Sequence, residues 1–239
     1  MNSSLAEFKE TQSQDAFSLQ NERLLKVRLE AVTIQARQGA MVAYQGDVHF
    51  EHAGSGMKRL MKKVATGEGV DLMKVSGTGE VFLAVRAQEV HLLQLNDEEL
   101  TVNGQNVLAF DAGVDWDIKK VEGVSGVLTG GLFNIKLKGT GTVAVISDGP
   151  PMLLDVGSAP TFCDPQAAIV WSQGVKSSIK TDANLKSFVG MGSGETVQVA
   201  FSGEGWVLVQ PSEGKVTERV SGSNQSGGGL GGLLSNLGS

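Results

Sequence analysis

Apolar and polar residues alternate along much of this chain at a spacing of two, and the alternation is punctuated by glycine. Three stretches match one another. Met73 and Val75 precede Gly77, with Val81 and Leu83 after it; Ile135 and Leu137 precede Gly139, with Val143 and Val145 after; Val199 and Phe201 precede Gly203, with Val207 and Val209 after. Side chains two residues apart share one face of a β-strand, so the pattern predicts three strand regions with a buried face. At the centre of each stands a Gly-x-Gly: Gly77-Thr78-Gly79, Gly139-Thr140-Gly141 and Gly203-Glu204-Gly205. Glycine reaches backbone conformations closed to other residues, and each corner is expected to be a hairpin or a kinked long strand.

A second landmark recurs upstream of each corner. Met41-Val42-Ala43-Tyr44 leads to Gly46, Val107-Leu108-Ala109-Phe110 to Gly113, and Ala168-Ile169-Val170-Trp171 to Gly174. Tyr44, Phe110 and Trp171 occupy equivalent places, and large rings beside a turn are expected to anchor a core. Two landmarks occurring three times imply an internal repeat. The units are drawn at 24–88, 89–148 and 149–212, with a polar segment 1–23 before them and a Gly/Ser/Leu-rich flexible tail 213–239 after. Between the landmarks lie short stretches of helical spacing. Met57, Leu60, Met61 and Val64 are the clearest; Leu185, Phe188 and Val189 repeat the pattern, and Val124–Leu128 carries a glycine-interrupted version.

Composition changes this picture little. With 239 residues, 32 glycines and 41% hydrophobic content, the chain is globular and long enough to bury a core without disulfides or metals. A net charge of −6 argues against nucleic acid as a partner. Cys163 is the only cysteine, which excludes an intrachain disulfide, and a small buried thiol is its expected role. The first residues carry Glu7, Glu10 and Asp15 and no apolar run, and no window reaches about 18 consecutive apolar residues, so a cytoplasmic protein is expected.

Leu25-Lys26-Val27-Arg28-Leu29, followed by Ala36-Arg37-Gln38-Gly39-Ala40-Met41-Val42-Ala43-Tyr44-Gln45-Gly46, together with Gly130-Gly131-Leu132-Phe133 and the three glycine corners, resembles the altered-inheritance-of-mitochondria protein twenty-four family. The resemblance covers Leu24 to Gln210 and is closer to the bacterial members. It implies an all-β fold of three domains, each like the tryptophan RNA-binding attenuation protein, a short relative of the double-stranded β-helix. It also implies a homotrimer with nine units around a ring. Mitochondrial members are tied to inner-membrane organisation and respiratory complexes; bacterial members have no settled activity. The attenuation protein binds RNA through a repeated lysine and arginine set, and no such set recurs across these units, so RNA binding does not follow from the fold.

Catalytic and cofactor chemistry finds no support. His49-Phe50-Glu51-His52 would point its two histidines to opposite faces of a strand, so it makes a poor metal pair. His91, within Val90-His91-Leu92-Leu93, is expected to be a hydrogen-bonded structural imidazole. Asp111, Asp115 and Asp117 begin like a calcium loop but lack its glycine and closing glutamate. Phosphate-loop and dinucleotide motifs are missing. The remaining candidate is the basic cluster Lys58, Arg59, Lys62 and Lys63, which reads either as a solvated helix face or as a contact for anionic lipid or an acidic partner. A non-enzymatic scaffold with an unknown protein partner and no cofactor is therefore expected, with a small-ligand module whose sites lie between units or subunits as the alternative.

Overall fold

The computed structural model describes residues 3–52, 72–120, 133–181 and 197–212. The three helical stretches, the basic cluster at 58–63 and the tail all lie outside the described residues. A 3-10 turn, Ser3–Phe8, comes first, and every later element among the described residues is a strand. Strands β1 (Phe17–Asn21), β2 (Leu24–Arg37), β3 (Met41–His52) and β4 (Leu72–Leu83) come first, then β5 (Glu89–Asn103), β6 (Val107–Asp111), β7 (Val114–Lys120) and β8 (Phe133–Ser147). The last group is β9 (Met152–Asp155), β10 (Thr161–Cys163), β11 (Ala168–Ser172), β12 (Val175–Thr181), β13 (Val197–Gly203) and β14 (Trp206–Val209).

All the pairings are antiparallel. Eleven strands form one sheet whose main path runs β3-β4-β2-β6-β8-β5-β11-β14-β9, and β10, β13 and β12 form a second. The same registers occur three times. Ala36 lies opposite Met73, Val102 opposite Ile135 and Cys163 opposite Val199; Tyr44 lies opposite Val81, Phe110 opposite Val143 and Trp171 opposite Val207. Pairing also crosses between groups. Ala36 lies opposite Ala109 where β2 meets β6, and Val102 lies opposite Val170 where β5 meets β11.

The first two glycine corners are kinks in long strands, and none of the three is a hairpin. β4 and β8 run unbroken through Gly77–Gly79 and Gly139–Gly141, whereas at the third corner β13 and β14 part into different sheets. Gly77, Gly139 and Gly203 hold φ of +117°, +126° and +107°, in the region that disfavours a Cβ. A crossing strand closes over each, so a Cβ at Gly77 would lie 2.1 Å from the Asp47 carbonyl oxygen, and one at Gly203 2.3 Å from that of Gly174.

A second device keeps each long strand's buried face in phase. Leu25, Val27 and Leu29 are buried on β2, and beyond Ala31 the buried set continues as Ile34 and Ala36, one residue out of step. Ala31 adopts φ +56° and the register slips there. On β5, Asp97 at φ +58° marks the same slip, between Leu95 and Leu100. Each is a β-bulge, which inserts one residue and re-aims the strand so that both halves keep their apolar side inward.

The core follows the strand pairing. One cluster joins Leu25, Val27, Ile34, Val75 and Val81 to Leu108 and Ala109 of the next group. The second joins Leu100, Val102, Phe110, Ile135 and Val143 to Ile169 and Val170. The third lies around Trp171, Val199, Phe201 and Val207, and all of its members among the described residues come from the last group.

Candidate functional site

Most of the residues that invite a chemical reading have structural roles. His91 Nε2 lies 2.7 Å from Ser147 Oγ, which in turn donates to the Gly149 carbonyl. Burial lowers the His91 pKa and favours the neutral ring, against an opposing pull from Glu89. Asp111 Oδ2 accepts the Thr142 backbone N–H at 2.6 Å, fixing β6 on β8. His49 sits 3.4 Å from Asp47 on an exposed surface. Burial, reinforced by Asp164, pushes the Cys163 thiol up to about 12, so it is a protonated, weak nucleophile. Among the described residues, no group of three or more His, Cys, Asp or Glu could hold a metal.

One charged centre escapes sequence reasoning. Lys26 stands in an apolar run, yet its side chain is buried and ion-paired with Glu10 and, at 2.8 Å, with Glu80; it also donates to the Thr11 carbonyl at 3.0 Å. These contacts strap the segment before β1 across β2 and β4. Burial alone would lower the Lys26 pKa, but the two carboxylates outweigh it and leave the pKa raised. Glu80 is held below the usual carboxylate range by hydrogen bonds with Glu10 and then Lys26. A depressed carboxylate stabilises above its unfolded pKa, and that stabilisation is lost as pH falls through the folded value; a raised lysine stabilises below its unfolded pKa and loses this as pH rises through the folded value. The melting-temperature advantage of the natural protein over Lys26→Met should therefore be flat between roughly pH 5 and pH 10 and shrink on both sides. A difference that grew in acid would contradict this reading.

The residues most exposed for their chemistry gather at two sheet edges. At one end, β3 is the last strand of the large sheet, and Met41, Val42, Ala43 and Tyr44 along its start are all exposed. Tyr44 is 49% accessible and meets Phe50 edge to face at 5.4 Å. This corrects the expectation of a core ring there: Phe110 and Trp171 are buried because β2 and β5 cover them, and nothing among the described residues covers Tyr44. At the other end, β9 exposes Met152 and Leu153; β10, an edge of the three-stranded sheet, exposes Phe162, over whose ring Lys180 Nζ sits at 4.4 Å. Within Met41–Gln45 and Thr161–Cys163 there is no charged residue. β10 is short and flanked by Pro160, Asp164 and Pro165, devices that limit strand addition, whereas the start of β3 carries none of them.

Among the described residues, no helix is long and apolar enough to cross a membrane. Fold and edges together define an all-β protein, dominated by one large antiparallel sheet, with exposed apolar residues on the edge strands β3, β9 and β10. The chain belongs to the family described as Mitochondrial biogenesis AIM24, whose model matches residues 17–212. Among solved structures it is similar to protein SPYM3_0169 from Streptococcus pyogenes, at 20% identity and a TM-score of 0.67, covering 82% of this chain and 92% of that one. At that identity the likeness speaks for the fold alone. No curated protein matches the chain.

Proposed function

We propose that this is a cytoplasmic, non-enzymatic assembly protein built of three tandem units, each like the tryptophan RNA-binding attenuation protein, over 24–88, 89–148 and 149–212. Three copies close into a ring that offers its surfaces to protein partners. The observation that carries this reading is the pair of exposed apolar edge segments, the start of β3 at one end of the large sheet and β10 at the edge of the three-stranded sheet. Ring closure removes both at once, which no addition at a single end can do. Three is the number the family resemblance implies. Light scattering at micromolar concentration should give three times the 25.1 kDa of one chain, and a mass of one chain would overturn the proposal.

One observation favours a second reading, a small-ligand module. A cleft of about 250 Å³ lies where β5 meets β11 and β14, walled by Leu92, Leu93, Leu100 and Trp206 with Glu98 and Glu99 beside them. Lys136 holds Glu99 at 2.5 Å, leaving Glu98 as the exposed carboxylate. Such a wall suits a flat apolar molecule carrying a positive charge. A ligand of this class would raise the melting temperature of the natural protein and not of Trp206→Ala.

A further inference from the structure

We propose that the open half-edge of β5, residues 91–95, takes an extended peptide of a protein partner as an added antiparallel strand, with a large apolar anchor opposite Leu93 and basic residues before it. This names one partner surface for the assembly reading above, but it rests on the strand order of a single chain and not on ring closure.

The chain itself shows how such an edge is covered. Lys26, Leu92 and Leu153 stand at one place in the three groups, opposite Phe82, Ala144 and Leu208, each three residues after the second glycine of its corner. In the first group β1 lies along this half of β2. Phe17, Ser18 and Leu19 face Val27, Lys26 and Leu25, and Arg28 donates its backbone N–H to the Ala16 carbonyl at 2.8 Å. Among the described residues no strand does the same for β5, which pairs with β8 along its length and with β11 from Leu100 to Ser172 onward. Val90 donates its N–H to the Glu22 carbonyl, so the N–H groups of Leu92 and Gln94, two and four residues on, point to the same open side. Gln94 holds the place of Arg28, since their partners Thr142 and Glu80 each follow the second glycine of a corner.

The socket for the anchor is already built. Phe17, opposite Val27, is buried in the first core cluster. Leu93 holds the place of Val27, and beside it opens the cleft walled by Leu92, Leu93, Leu100 and Trp206, with Leu93 and Trp206 packed on the second core cluster. A ring opposite Leu93 enters this cleft as Phe17 enters the first core. Added strands of this kind are held by main-chain hydrogen bonds and selected by sockets for alternate side chains. An antiparallel strand carries the residues before its anchor toward Asp97 and Glu98, where the Glu98 carboxylate is exposed while Lys136 neutralises Glu99. Charge therefore selects a basic peptide. β5 contains no proline, whereas β9, the matching half-edge of the last group, follows Pro150 and Pro151, which guard it. Residues 213–239 contain no aromatic residue and would leave the socket without its ring.

The probe is a dye-labelled peptide, KKAFSLQ, in which two lysines precede the sequence of residues 16–20, a stretch that already adds to such an edge. Fluorescence anisotropy should show the natural protein binding it. Gln94→Pro removes one outward N–H and leaves the β8 pairing intact, and should weaken binding about tenfold or more, whereas Gln94→Ala should stay within about twofold of the natural protein. Ser18 lies two residues from the Ala16 carbonyl that accepts from Arg28, so the probe's serine nitrogen faces β5. Methylating that nitrogen should cost a similar factor without altering the protein, which keeps the test decisive if Gln94→Pro folds poorly. Glu98→Gln should weaken binding about threefold and flatten its salt dependence. No binding at about 1 mM peptide overturns the proposal. Binding lost in Trp206→Ala but unchanged by Gln94→Pro and by the methylated probe overturns strand addition and leaves the small-ligand reading standing. Binding that appears only in a form ending at Ser212 makes the tail the occupant and overturns the assignment to a partner. Mass by light scattering, one chain or three, decides the assembly reading separately.

Discussion

Gly77→Val is expected to lower stability by about 3 kcal/mol or more, which for a chain of this size means a fall of roughly 10 °C in melting temperature. Two effects add. A β-branched residue is strained at φ +117°, and its Cβ would sit 2.1 Å from the Asp47 carbonyl oxygen, on a backbone strand that can yield only by breaking its pairing. Gly203→Val should cost nearly as much, its Cβ lying 2.3 Å from the Gly174 carbonyl oxygen, and Gly139→Val somewhat less, with 2.8 Å to that of Gly113. Gly39→Ala separates the two effects. Gly39 has φ +79° but open space around it, so only conformational strain of about 1 kcal/mol applies. Thermal unfolding of the four variants decides the matter: a loss at only one of the three corners would break their equivalence, and a loss at Gly39 as large as at Gly77 would remove the crossing strand from the explanation.

Phe110→Ala should be of similar size, about 3–5 kcal/mol, because the ring is wholly buried and its removal leaves a cavity between β6 and its neighbours. Trp171→Ala should cost a comparable amount, since the indole packs edge to face on Phe201 at 5.3 Å. Tyr44→Ala, although equivalent in sequence position, should cost less than about 1 kcal/mol in the isolated chain, because its ring is already half in water. Urea unfolding under conditions that keep copies apart tests this. Equal losses at all three rings would mean that Tyr44 is covered within one chain, and the picture of an open edge would be wrong.

The corners are legible in the sequence because glycine and period-two alternation are local signals, carried by a few adjacent residues. The bulges are harder to read. Alanine at position 31 does not announce a left-handed residue and aspartate at 97 does so only weakly, although the slip in phase from Leu29 to Ile34 is itself a readable trace of one. Lys26 is hidden for another reason: a lysine inside an apolar run becomes a buried ion pair only when Glu10 and Glu80 are brought to it by other strands. Tyr44 shows the limit of reasoning by equivalence, since three rings at matching positions differ in burial according to whether a strand precedes them in space. The two open edges could not be found before the strand order was known, because exposure at an end depends on pairings across the whole chain.

The borrowing of core residues from the following group also has a bearing on synthesis. The first core needs Leu108, Ala109, Ala144 and Ile146, so it cannot be completed until the chain has been made well into β8; the second waits in the same way for Ile169 and Val170. Folding therefore trails translation by about one group, with each newly emerged stretch closing the one before it. Among the described residues, the last group draws on no later strand. Its final packing step is bimolecular in the proposed ring, so the rate at which newly made chains mature would rise with their concentration.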